Sequence, residues 1–123
     1  MGGRLQRGGP MSSYPLLRDG LYKIDFQTQL GAGTGFAALH NGTVSGGDWG
    51  MTYSGCFDVV GDRLSVIVEV EQRPDRRITS VFRAERAVVS LSGRAGPYGA
   101  ELAGVSAEAP DILFQAHLTH LPD

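Results

Sequence analysis

From Asp19 onward, apolar and polar side chains alternate with a period of two rather than 3.6, the pattern of half-buried strands. In GLYKIDFQT, Tyr22, Ile24 and Phe26 share one face while Lys23, Asp25 and Gln27 share the other. In RLSVIVEVE, Leu64, Val66, Val68 and Val70 face one way, and Arg63, Ser65, Glu69 and Glu71 the other, with Ile67 the apolar exception on the polar face. GTGFAALH, WGMTYSGCF, ITSVFRAE, AVVSLSG, PYGAELAGV and DILFQAHLT supply further strands. Between them lie turn residues. Asn41-Gly42 suits a two-residue type I′ hairpin, because both positions must tolerate positive φ. Gly61-Asp62 marks another turn, and SAEAP reads equally as a helical turn or a loop. About eight short strands at a spacing of roughly 10–12 residues predict an all-β fold, an up-and-down antiparallel barrel or a sandwich.

Composition narrows this picture. A chain of 123 residues makes one domain, and 41% hydrophobic residues can build a core. Residues 1–17 read as a flexible leader and 18–123 as a single β-barrel domain. The 18 glycines, about twice the usual share, suit tight turns and bent strands. A net charge of −2 offers no positive field for a phosphate backbone, so direct nucleic-acid binding is not expected. The single Cys56 excludes an intrachain disulfide and fits a reducing compartment. No apolar run has the length of a signal peptide or a membrane helix, so a cytoplasmic protein without membrane contact is expected.

Candidate chemistry is sparse. Gly31, Gly33 and Gly35 in GAGTGF follow a strand, but a dinucleotide loop needs a helix next, and only FAALH intervenes before the hairpin turn. His117 and His120, three apart on a strand, point to opposite faces, and His40 is remote, so no metal site is expected. Cys56, between Gly55 and Phe57, reads as a small core residue. Asp48 reads as a tie for backbone amides where the chain turns after Gly46-Gly47, and nothing forces it near Asp58 as an acid–base pair. Arg73, Arg76, Arg77, Arg83 and Arg86, relieved by Asp75 and Glu85, read as a basic zone, either a solvated face or a surface for an acidic partner. No nucleophile, base and orienter come together, so neither an enzyme nor a cofactor is expected.

The composite of motifs resembles the GrlR-like family, named for a bacterial negative regulator of type III secretion gene expression. Asp19, Gly20, Leu21 and Tyr22 match its opening strand; Gly33 and Gly35 its Gly-rich strand; Asn41 and Gly42 its turn; Gly46, Gly47 and Asp48 its Gly-Gly-Asp; Tyr53 and Gly55 the aromatic and the glycine of its next strand. The match runs from Asp19 to about Val70. The resemblance implies a lipocalin-like small barrel, a homodimer, and transcription regulation by binding an activator protein. The family's named regulator carries an acidic Glu-Asp-Glu-Asp loop linked to that binding; here the loop reads Val59, Val60, Gly61, Asp62, and only Asp62 is charged.

Two functions follow as expectations. The first is a non-enzymatic regulator that binds a protein partner. The second is a carrier or sensor of a small apolar ligand, with Tyr22, Phe26, Tyr53, Phe82, Tyr98 and Phe114 as lining.

Overall fold

The computed structural model describes residues 17–73 and 86–122. Eight antiparallel strands close into a barrel in sequence order. They are β1 (Gly20–Thr28), β2 (Gly31–His40), β3 (Thr43–Gly47), β4 (Met51–Val60), β5 (Arg63–Gln72), β6 (Arg86–Ala95), β7 (Gly99–Ser106) and β8 (Ala109–His120). The alternation fixes which side chains enter the barrel: Tyr22, Leu64, Val66, Val68 and Val70 are buried, as the period-two pattern predicts. Each such aliphatic chain contributes roughly 1.5–3 kcal/mol when it leaves water.

The observed strands depart from the expected ones around Thr43–Gly50 and at SAEAP. Thr43–Gly47 is a strand of its own, paired with β2 and β4. Gly46 and Gly47 therefore end β3 rather than bulge the start of the next strand, and Trp49 and Gly50 lie in the turn before β4. SAEAP contains only the two-residue turn Ala107-Glu108 between β7 and β8. There the Glu108 carboxylate accepts from the Ser106 hydroxyl and the Val88 amide, which holds its pKa below the usual range. The stretch ITSVFRAE lies outside the described residues. Cys56 is exposed instead of filling the core, because Tyr53, Gly55 and Phe57 occupy the inward positions of β4. The Asn41-Gly42 turn has φ of 49° and 80°, the left-handed pair a type I′ hairpin requires.

The barrel closes through β1 and β8, which pair from Tyr22↔His120 to Gln27↔Gln115. Beyond that register the Gln29 side chain continues the ladder. Its amide donates to Asp111 O at 2.9 Å, and its oxygen accepts from Leu113 N at 2.9 Å. Closure also depends on glycines that face inward. A Cβ on Gly55 would lie 2.0 Å from Ile67 O on β5, and one on Gly46 would lie 2.0 Å from Phe36 O on β2. Backbone of the neighbouring strand occupies the place of the side chain.

Among the described residues there is no helix long and apolar enough to cross a membrane.

Gly55→Ala should destabilise the barrel by about 2 kcal/mol or more, because neither backbone can yield without breaking the ladder. Gly96→Ala, at a turn with nothing within 4 Å of the added carbon, should change stability by less than about 0.5 kcal/mol. Urea midpoints of the two variants check this.

Candidate functional site

The two ends of the barrel differ. At one end Leu17 tucks beneath the strands and is buried, as is Tyr22 beside it. The Tyr22 hydroxyl donates to Arg18 O. Arg18 N donates to Pro97 O at 3.3 Å, and the Arg18 guanidinium donates to the Tyr98 hydroxyl at 3.0 Å while lying over the Tyr98 ring. His120 meets the Tyr22 and Tyr98 rings edge-on, with centroids 5.0 and 6.0 Å away. Asp19 adds a tie to the β2–β3 turn, accepting from Asn41 N at 3.1 Å with His40 Nδ1 at 3.3 Å. This end is closed by side chains and by the incoming chain.

The other end leads into a cavity of about 490 Å³. Its origin is the size of the inward side chains. Along β2 the inward positions run Gly33, Gly35, Ala37 and Leu39 towards the closed end. On β5 the inward residues nearest the opening are Val70, Val68 and Val66, and on β8 Ala116 follows Phe114. Valine, alanine and glycine are too short to meet at the axis, so the upper lumen is unfilled, whereas Leu39 and Leu118 form a floor. A second depression of about 740 Å³ lies largely on the outer wall among Asp25, Glu101, Gln115 and His117. Its polar, charged lining suits solvent better than an organic ligand, so the lumen is the candidate site.

The mouth is organised by Asp48. One carboxylate oxygen accepts the backbone amides of Gly50 and Met51, each at 2.8 Å, and the other accepts the Tyr53 hydroxyl. The β3–β4 turn is thus tied as the Gly-Gly-Asp sequence predicts. Arg73 at the end of β5 fastens the same turn: its Nε donates to Asp48 O and its amide to Gly50 O, both at 2.9 Å. Trp49, at the tip, is 64% exposed and borders the cavity. Burial, with the hydrogen bond to Asp48 second, pushes the Tyr53 phenol well above its ordinary value of 10, and burial raises Tyr22 as well.

Of the aromatics named as possible lining, Phe26, Tyr53 and Phe114 border the cavity. Tyr22 and Tyr98 belong to the closed end, and Phe82 lies outside the described residues. Val59, Val60, Gly61 and Asp62 form the β4–β5 hairpin, also at the closed end. Val59 packs against the core, Val60 is exposed, Gly61 has φ of 60°, and Asp62 O accepts from Ala95 N. The aliphatic lining, Val66, Val68, Val70, Val89 and Leu102, was not singled out from the sequence. Its signal was present, since the alternation assigned Val66, Val68 and Val70 to the inward face and their small size left the axis empty. Among the described residues no three metal-ligating side chains come together.

No protein-family model matches the chain, and a search of curated proteins found no match.

Asp48→Ala strands two amides and a phenol at once and should cost about 2–4 kcal/mol, whereas Tyr53→Phe should cost about 1 kcal/mol. Urea unfolding measures both. An unfolded tyrosine ionises near pH 10 while folded Tyr53 keeps its proton. The unfolded state then binds fewer protons, so stability should fall as pH rises above about 10, and less steeply in Tyr53→Phe. Unfolding at a series of alkaline pH values, with phenolate absorbance to follow ionisation, checks the sign.

Proposed function

We propose that this is a non-enzymatic binding protein that holds a small, largely apolar molecule in the barrel lumen. The observation that carries the reading is the unfilled cavity of about 490 Å³, open at one end and lined mainly by aliphatic and aromatic side chains. That size lies within the range of small-molecule pockets, which bury most of their ligand. Each methylene moved from water into such a lining gains roughly 0.8 kcal/mol. A ten-carbon chain would gain roughly 8 kcal/mol before the loss of its own freedom, which supports a Kd of about 10⁻⁶–10⁻⁴ M. The closed end, sealed by Leu17, Tyr22 and Tyr98 with their partners, leaves the mouth at Asp48 and Trp49 as the route in.

A second reading, a regulator that acts by binding protein, is favoured by the outer wall. Cys56, Ile67, Ser90 and Val105 form one lateral row across β4, β5, β6 and β7. Ile67, Val88 and Val105 on this wall are 54%, 40% and 46% exposed, and the row carries no charge. Such a face suits a second copy or an activator protein, as the resemblance to GrlR-like regulators implies.

Native mass spectrometry of the full chain, followed by titration with an uncharged apolar fluorophore, tests the first reading. A mass excess lost on denaturation, or fluorophore binding that Ala116→Phe abolishes by filling the lumen, is the expected result; a folded protein that binds neither would overturn it. For the second reading, Ile67→Asp should weaken self-association or partner capture at least about tenfold. Light scattering across a concentration series reads this out.

A further inference from the structure

We propose that the lumen selects molecules whose apolar body ends in a neutral hydrogen-bond donor, a hydroxyl, and rejects the matching carboxylate. The proposal rests on the reading that the lumen binds a small apolar molecule, and it names the class.

A ligand's polar head must sit at the mouth. The floor is Leu39, Val44 and Leu118, where a head group would lose its water and gain no partner. At the mouth, most polar side chains are already committed. The Thr28 hydroxyl accepts from Leu30 N at 3.0 Å, and the Thr34 hydroxyl donates to Asp25 Oδ1 at 2.8 Å. Gln115 lies on the solvent-exposed side of β8. Besides Trp49, the polar groups of the lining left facing a head are the Asp48 carboxylate and the Tyr53 phenol.

Both of these accept. Tyr53 has spent its proton on Asp48, but a phenol oxygen that donates can still accept. The amides of Gly50 and Met51, the donors nearest the carboxylate, are turned onto Asp48 Oδ1. Arg73 is turned onto the backbone oxygen of Asp48 and is not part of the lining. Among the described residues the lining holds one charged side chain, Asp48, and no Lys, Arg or His. A hydroxyl can donate to Tyr53 Oη or to the carboxylate. Among the described residues of the lining, a carboxylate head would meet the like charge of Asp48 and no cation to offset it, a rejection built from repulsion.

The test is competition at neutral pH between the full chain's bound apolar fluorophore and two probes of equal length, 1-decanol and decanoate. Emission of Trp49, the single tryptophan, at the mouth, gives an independent signal. Decanol should displace the fluorophore at a concentration at least about tenfold lower than decanoate. Asp48→Asn, which keeps an acceptor for the amides and removes the charge, should bring the two within about threefold by improving decanoate. Tyr53→Phe should weaken decanol more than decanoate, which keeps the idea testable if the Asn variant does not fold. Decanoate competing as well as decanol, or a preference that survives unchanged in both variants, would overturn the proposal. If the wild type binds no fluorophore and neither probe, the lumen reading itself fails; if fluorophore and decanoate bind and decanol does not, only the head-group assignment fails.

Discussion

Closing eight strands into a barrel this narrow forces neighbouring backbones close together at the bends, and that approach is the constraint on which the rest depends. At four inward positions, Gly46, Gly55, Gly93 and Gly104, a side-chain carbon would fall within about 2 Å of a carbonyl oxygen on the adjacent strand. The glycines allow the bends, and the bends allow the circuit from β1 to β8 to close. Where those glycines stand, the axis also receives no side chain. The cavity is bordered by other short residues, Gly31 and Gly33 of β2 and the valines of β5, which leave its upper part unfilled.

The wall was largely legible in the sequence because alternation is a local property. Each strand announces its inward face through its own residues, and Asn41-Gly42 and Gly61-Asp62 announce their turns. Thr43–Gly47 gives no strand signal of its own, because its glycines carry no hydropathy contrast and its five residues are too few to set a period. Cys56 reads as a core residue in the sequence yet lies outside, because its neighbour Gly55 takes the inward position, and an inward glycine hides the parity of a strand. The cavity was only half legible. Parity says which side chains point to the axis but not whether they reach one another across it, which depends on barrel radius. Aromatics drew attention as lining for that reason, yet Tyr22 and Tyr98 serve the closed end while valines line the open one.

Asp48 illustrates how one side chain can serve wall and site together. It satisfies the amides of the β3–β4 turn and the hydroxyl of a lining tyrosine, and Arg73 holds its backbone from β5. The turn at the mouth is thereby as well fastened as the closed end, so the opening has a defined edge. Such pre-ordering lowers the entropy lost when a molecule is taken up.

The junction of β1 with β8 differs from every other seam. Seven of the eight strand pairs join sequence neighbours, while this one brings together residues as far apart as Tyr22 and His120. Neighbouring strands can zip from their turns at small entropic cost, but this last pairing must be found by a nearly complete, still-open sheet. The Gln29 amide, gripping Asp111 and Leu113 just past the last backbone pair, works there as a clasp. It rewards the correct alignment of the two edges and no alignment shifted by one residue, so the choice between a closed cylinder and a slipped, sticky sheet rests partly on a single side chain outside any strand.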